Sequence, residues 1–162
     1  KNNLFEKAIV YESDSLSRDI IDQNARLNKV ENRLTIKEKA EESFLNEDCF
    51  KNINLKDCIF LIDIEGDEFK LLNSTNLAKL SDSIMIVEFH DFIDKSGNKN
   101  SEFLNKLKIF FVVEILTTRS RDLSKFDFLK DLEDVDRWLL ANEGRPNLMK
   151  WLVCTPKKNQ IN

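Results

Sequence analysis

Glycine and proline are scarce in this sequence, which has 3 glycines and 2 prolines among 162 residues. An all-β protein needs many of both in its tight turns, so the composition disfavours that class. The glycines form no G-x-G cluster, and the sequence contains neither a P-loop nor a serine in a nucleophile elbow. The glycine-marked motifs of nucleotide-binding proteins and hydrolases are therefore absent from these residues.

Cysteine is also scarce, and the sequence has no excess of basic charge. Cys49, Cys58 and Cys154 lie too far apart in the sequence to form a close zinc-binding pair, and an odd, scattered set favours reduced, partly buried thiols in the cytoplasm. The net charge of −4 argues against a general nucleic-acid binder. No apolar run approaches the roughly 18 residues that span a bilayer, and the polar first residues give no secretory signal. We therefore expect a cytoplasmic protein without nucleic-acid or membrane partners.

Apolar side chains are abundant and occur in short runs. They make up 41% of the residues, enough for the core of one domain, which we place at residues 1–156 before a polar tail at 157–162. Runs typical of strands alternate with segments of helical periodicity, which predicts an α/β fold with a mostly parallel sheet. The predicted strands are residues 8–11, 34–36, 58–64, 83–89, 109–116 and 149–154, and the predicted helices are residues 16–28, 67–80, 101–107 and 128–142.

Acidic side chains follow most of the predicted strands. In an open α/β sheet, ligands bind outside the carboxyl ends of the strands, so these side chains are candidates for a site. Glu12 follows the first strand, and its carboxylate can accept hydrogen bonds from the two hydroxyls of a ribose. The alternative is that Glu12 only complements the positive end of the helix that follows it.

Asp63 and Glu65 come at the end of the most continuous apolar run, residues 58–64. Such a run suits a strand that is covered on both faces, and alternation along it would point both carboxylates to the same side. The pair could bind a divalent cation, orient a substrate hydroxyl or act in acid–base catalysis. Alternatively, Asp63 caps the next helix, Glu65 is solvated and Gly66 is a turn residue.

His90 is the only histidine in the sequence, and it follows the strand at residues 83–89. An imidazole titrates near neutral pH, which suits a general base. A single histidine is more often a structural or surface residue, but a position at the carboxyl end of a central strand favours a functional one.

Several of these segments, taken in order, resemble parts of one family. Residues 8–14 and 24–28 resemble the second strand and helix of class I methyltransferases. Residues 61–68, with the sequence Leu-Ile-Asp-Ile-Glu-Gly-Asp-Glu, resemble the signature after the fourth strand of the FkbM type, and residues 86–92 resemble the next strand. Residues 143–146 and 151–153 resemble the closing helix and hairpin. Over residues 8–156 the sequence is thus similar to FkbM-type S-adenosylmethionine-dependent methyltransferases.

The resemblance implies a Rossmann-like sheet of seven strands, mostly parallel, with an antiparallel last strand. It also implies that S-adenosylmethionine is the cofactor. Glu12 would bind the ribose, and Lys39, Ala40 and Glu41 would lie beside the adenine. Asp63 would face the methionine end of the cofactor.

The resemblance also implies a catalytic set of Asp63, Glu65 and His90. His90 would take the proton from an acceptor hydroxyl on a small molecule or glycan. Methyl transfer is an in-line displacement at the sulfonium methyl group, so positioning of the reactants would do most of the work. The resemblance assigns no metal ligand, and the use of a cation stays open.

The sequence departs from the family pattern in one respect, because the first strand and its glycine-rich loop are missing. In the family, that strand lies between the strands that precede Glu12 and Asp63. We therefore expect the chain to be the C-terminal piece of a longer gene product. Alternatively, the gap is closed directly or by a strand from a second chain in a homodimer. A central strand formed by residues 1–7 would contradict the alignment.

Two other functions fit parts of the sequence. Asp-x-Glu after an apolar strand also opens the active site of exonucleases that bind two Mg²⁺ or Mn²⁺ ions, in which Asp63 and Glu65 would be metal ligands. Those folds usually continue with another antiparallel strand, whereas residues 67–80 have a helical pattern here. The missing glycine-rich loop also fits a non-catalytic module that keeps the methyltransferase shape.

Overall fold

A computed structural model describes residues 5–118, 123–142, 144 and 149–157 of the chain. The chain folds as two compact units. The first comprises Lys1–Asn54 and Lys70–Asn76, and the second comprises Leu55–Phe69 and Leu77–Asn162. The expectation of one domain over residues 1–156 stays a prediction, and the predicted tail falls outside the described residues apart from Lys157.

The first unit contains a parallel pair of strands joined by a helix. Strand β1 (Ala8–Tyr11) pairs with β2 (Leu34–Lys37), and helix α1 (Ser15–Leu27) connects them. Asp14 caps α1, because its carboxylate accepts a hydrogen bond from the backbone N–H of Ser17 at 2.7 Å. Residues 5–7 lie outside the strands, so the described part of residues 1–7 forms no central strand.

The second unit contains a mixed sheet of four strands in the order β3-β4-β6-β5. β3 and β4 are parallel, whereas the last strand, β6, runs antiparallel to both β4 and β5. An α/β architecture and an antiparallel last strand are thus confirmed. The strands are β3 (Ile59–Ile62), β4 (Ile84–Phe89), β5 (Phe111–Thr117) and β6 (Lys150–Pro156).

Four helices follow α1, and short 3₁₀ turns fill much of the remaining chain. The helices are α2 (Glu68–Leu71), α3 (Ser74–Leu80), α4 (Asn98–Phe110) and α5 (Asp134–Ala141). The 3₁₀ turns are Glu31–Arg33, Phe44–Asn46, Asp48–Phe50, Leu55–Asp57, Asp91–Ile93, Leu123–Lys125 and Asp127–Leu129.

One face of the four-stranded sheet forms the core of the second unit. Met85, Val87 and Phe89 alternate along β4 and are all buried. The ring of Phe89 stacks on that of Phe103 from α4, with the ring centroids 6.1 Å apart. On the opposite face, Leu61 of β3 is 69% exposed. The prediction that β3 is covered on both faces is therefore wrong for this side of the strand.

Two predicted helices are shorter than their apolar patterns. The pattern at residues 67–80 divides into α2 and α3, because Asn73 starts a new helix by accepting a hydrogen bond from the backbone N–H of Asn76 at 3.0 Å. The pattern at residues 128–142 yields only α5, since its first residues form a 3₁₀ turn. The resemblance at residues 143–146 falls on described structure only at Gly144.

None of the three cysteines forms a disulfide bond. Cys154 is fully buried, and burial raises the pKa of its thiol to about 12. Cys49 and Cys58 are half-buried, and the reduced state of the thiols stays a prediction.

Among the described residues, no helix combines the length and apolar character that crossing a membrane requires.

Candidate functional site

The chain turns sharply after β3, and this turn carries two of the predicted site residues. Asp63 and Glu65 lie beyond the last strand residue, Ile62. Glu65 has a φ of 53° and Gly66 a φ of 101°, so two consecutive residues adopt left-handed backbone conformations. We predicted that Asp63 and Glu65 point to the same side because they alternate along a strand. That explanation is wrong, because both residues lie after the end of β3. They are brought together by a turn, in which a non-glycine residue is held in an unfavourable conformation.

Glu68 holds this turn in place. Its side chain is 1% exposed. Its Oε1 atom accepts hydrogen bonds from the backbone N–H groups of Ile64, at 3.2 Å, and Gly66, at 3.3 Å. Sequence reasoning assigned Glu68 no role, because an acid in the first turn of a helix is ordinarily explained by the helix dipole.

His90 lies directly after β4 and is 2% exposed. Its Nδ1 atom is 3.0 Å from Oε1 of Glu68. Its Nε2 atom is 3.4 Å from a carboxylate oxygen of Glu65 and 3.7 Å from one of Glu88, which is also buried. When Nδ1 donates its proton to Glu68, the Nε2 atom of a neutral imidazole presents a lone pair toward the turn.

Asp63, Glu65 and His90 form one cluster, in which one ligand atom from each residue lies within 4.8 Å of the others. The two carboxylates are exposed, whereas the imidazole is buried. β3 and β4 are parallel neighbours, so their carboxyl ends meet at the same edge of the sheet. The cluster therefore combines a buried imidazole with two solvent-exposed carboxylates.

The segment after His90 is held from two sides. Lys150 of β6 forms a salt bridge with the carboxylate of Asp91. Asn100 of α4 donates a side-chain hydrogen bond to the backbone carbonyl of Asp91 at 2.7 Å. These contacts fix the backbone that positions the imidazole. Sequence reasoning did not find them, because Lys150 lies 59 residues from Asp91 and no local pattern pairs the Asn100 side chain with the Asp91 carbonyl.

The three predicted cofactor residues of the first unit, Glu12, Ala40 and Glu41, follow β1 and β2 at the carboxyl ends of this parallel pair. Glu12 is half-buried, and its Oε1 atom accepts a hydrogen bond from the backbone N–H of Asp14 at 2.8 Å. The backbone carbonyl of Glu41 accepts a hydrogen bond from Phe44 at 2.9 Å. The pairing therefore places Glu12 at the carboxyl end of the two-stranded sheet, where its backbone N–H donates to the Lys37 carbonyl at 3.2 Å. Ala40 and Glu41 lie three and four residues beyond the end of β2.

Replacing Gly66 with alanine is expected to lower the free energy of unfolding by about 1–2 kcal/mol, because an L side chain is strained at a positive φ. The new Cβ atom would also lie 2.5 Å from Cδ1 of Ile93, which would have to move. Chemical denaturation would measure the change. Gly97 is the matched control for crowding, since a Cβ atom there meets nothing within 4 Å, although its φ is also positive. A Gly66→Ala protein no less stable than the Gly97→Ala protein would contradict the crowded geometry of the turn.

Comparisons with known proteins assign no family to this chain. A scan of family models finds no match to it, and a search of curated proteins finds no significant match.

Proposed function

We propose that this chain is a domain of an S-adenosylmethionine-dependent methyltransferase that methylates a hydroxyl group of a small molecule or glycan. One observation carries the proposal. Asp63, Glu65 and His90, the residues that the FkbM-type resemblance makes catalytic, meet at the carboxyl ends of two parallel strands. This is the position at which open α/β sheets bind their ligands.

The strand pairing supports the finer, Rossmann-like interpretation of the fold. The resemblance requires a reversed last strand, and β6 runs antiparallel to both of its neighbours. It also requires a further strand between the one that precedes Glu12 and the one that precedes Asp63. β1 and β3, the strands in question, each have a single strand partner among the described residues. Each therefore has an edge at which such a strand would pair.

The proposed chemistry uses the imidazole as a proton acceptor. The acceptor hydroxyl would bind between Nε2 of His90 and the carboxylates of Asp63 and Glu65. S-adenosylmethionine would supply an electrophilic sulfonium methyl group to the hydroxyl oxygen, with the S–C bond breaking as the O–C bond forms, and Nε2 of His90 would take the hydroxyl proton. The products are a methyl ether and S-adenosylhomocysteine. Glu68 would act as a positioning residue, because it fixes the tautomer of His90 and stabilises the imidazolium that forms.

Cofactor binding tests the proposal without knowledge of the acceptor. Calorimetric titration of the longest natural form of the protein with S-adenosylmethionine or S-adenosylhomocysteine should give saturable binding of one molecule per chain. Glu12→Gln should weaken binding about 10- to 100-fold, because hydrogen bonds to a charged carboxylate are lost. Glu31→Gln is the matched control, since Glu31 is an exposed glutamate in the same unit. Absence of binding by the unsubstituted protein would refute the proposal.

A metal-dependent nuclease is the second candidate. It is favoured by the proximity of Asp63, Glu65 and His90, whose ligand atoms are close enough to hold an ion. It is disfavoured by the chain that follows β3, which forms a turn and two helices where such enzymes usually have an antiparallel strand. Hydrolysis of single-stranded DNA in the presence of Mn²⁺, together with no binding of S-adenosylmethionine, would support this candidate over the first.

A further inference from the structure

We infer that Asp63, Glu65 and His90 bind one divalent cation of the Mn²⁺ or Mg²⁺ type. The inference goes beyond the proposed methyl transfer and does not depend on it, because it rests on the geometry and charge of the second unit alone. The cation would have three protein ligands, two carboxylate oxygens and the Nε2 atom of the imidazole. Its other coordination positions would be open to water or to a substrate oxygen.

The distances suit one shared ion. Adjacent ligands of a cation bound at about 2.1 Å lie about 3 Å apart. Nε2 of His90 is 3.4 Å from a carboxylate oxygen of Glu65, and the three ligand atoms lie within 4.8 Å of one another. The side chain of Glu65 is 88% exposed, so it can rotate toward an ion without disturbing the core. Small movements of exposed carboxylates around a fixed imidazole would therefore complete the site.

Glu68 supplies the support that a metal-bound histidine ordinarily has. A metal-binding imidazole usually donates its other N–H group to a carboxylate or carbonyl, which fixes the ring and makes the ligand nitrogen more basic. Oε1 of Glu68 lies 3.0 Å from Nδ1 of His90, and both side chains are buried. The same oxygen holds the turn that carries Glu65. One buried carboxylate thus orients two of the three ligands.

The charge of the cluster gives an independent reason for a cation. Four carboxylates, those of Asp63, Glu65, Glu68 and Glu88, surround a single imidazole. The Oε2 atom of Glu68 is buried and has no hydrogen-bond partner among the described residues. Buried anionic oxygen is costly unless positive charge lies nearby. A divalent cation at the cluster would supply positive charge beside these carboxylates.

The preference for Mn²⁺ or Mg²⁺ follows from the donor atoms. Carboxylate oxygens favour Mg²⁺, Ca²⁺ and Mn²⁺, whereas a single imidazole adds affinity for transition metals. A site with two carboxylates and one imidazole therefore favours Mn²⁺, which is also the better probe. A bound cation would occupy the Nε2 lone pair of His90. In that state His90 would act as a ligand rather than a base, and the cation would supply Lewis-acid activation of an acceptor hydroxyl.

Titration of the full-length protein with Mn²⁺ tests the inference, with free Mn²⁺ followed by its electron paramagnetic resonance signal. We expect one saturable site per chain. Asp63→Asn and Glu65→Gln should each weaken binding at least about 10-fold. Glu68→Gln should weaken it about 10- to 100-fold, because a neutral amide beside Nδ1 makes the Nε2 ligand of His90 less basic. The matched controls are Asp82→Asn and Glu102→Gln, exposed acids of the same unit that lie outside the cluster. These two variants should bind Mn²⁺ like the unsubstituted protein.

Two results would overturn the inference. One is the absence of saturable Mn²⁺ binding by the unsubstituted protein. The other is unchanged binding in the Asp63→Asn and Glu65→Gln variants, whose exposed side chains can be replaced without unfolding the protein. Binding of S-adenosylmethionine is measured separately. Failure of the methyltransferase proposal therefore leaves the Mn²⁺ result intact, and the reverse also holds.

Discussion

Under the proposed methyltransferase function, replacing His90 with glutamine should lower the rate of metal-free methyl transfer by about 10²- to 10⁴-fold, the usual contribution of a general base. Glutamine has a similar size but cannot accept the proton of the acceptor hydroxyl. The residue is buried between Glu68 and the turn after β3, so a smaller replacement would also leave a cavity. Single-turnover transfer of a labelled methyl group from S-adenosylmethionine to a panel of hydroxyl acceptors would measure the effect.

Binding of S-adenosylmethionine provides the internal control for this substitution. The His90→Gln protein should keep the affinity of the unsubstituted protein, because the resemblance assigns the cofactor's ribose and adenine to Glu12, Ala40 and Glu41. Glu102→Gln, on the exposed face of α4, should change neither the rate of methyl transfer nor the affinity for S-adenosylmethionine. A His90→Gln protein that transfers methyl groups at the normal rate would remove His90 from the chemistry. The catalytic assignment of the cluster would then be wrong, even if the cofactor binds.

Replacing Glu68 with alanine should lower the free energy of unfolding by about 2–4 kcal/mol, the largest stability effect that we expect near the site. The substitution leaves the backbone N–H groups of Ile64 and Gly66 and the imidazole of His90 without their shared acceptor. Each unsatisfied buried donor costs about 1–3 kcal/mol, and loss of the unpartnered Oε2 atom offsets part of the total. Denaturant unfolding monitored by circular dichroism would give the value.

The Glu68→Gln substitution distinguishes the role of Glu68 as a hydrogen-bond acceptor from the role of its negative charge. Glutamine keeps an oxygen in nearly the same place, so the turn should remain and the stability should change by less than about 1.5 kcal/mol. Methyl transfer should still fall, because a neutral amide cannot stabilise the imidazolium form of His90. Equal stability losses in the alanine and glutamine variants would show that the buried carboxylate does not hold the turn through its accepted hydrogen bonds.

Apolar patterning was sufficient to locate the strands and their alternation with helices. Every strand among the described residues overlaps a predicted one, because each contains a run of bulky apolar residues of the kind that is typical of strands. Helix ends were harder to predict. Asn73, whose side chain starts a new helix inside the pattern at residues 67–80, is one polar residue in a long periodic segment. Asn73 can cap a new helix only because the preceding helix, α2, has ended at Leu71.

The sequence predicted which residues belong to the candidate site, but it did not predict how the structure brings them together. Asp63, Glu65 and His90 were selected because each follows a predicted strand, and the structure brings them together. The turn that does so depends on Glu68, whose acceptor oxygen joins Ile64, Gly66 and His90. No local pattern reveals such a contact, because the imidazole reaches Glu68 only when β3 and β4 pair.

The sequence by itself thus determined the α/β class, the strand positions and the acids and histidine at the strand ends, since these follow from local periodicity and side-chain chemistry. Only the tertiary structure decided that β6 lies between β4 and β5, that Glu65 adopts a left-handed conformation and that Glu68 is buried against His90. These features depend on contacts between segments that are distant in the sequence. The free energies of those contacts cannot be inferred from the local sequence of either segment. The proposed catalytic and cation-binding roles of His90 both depend on that last contact.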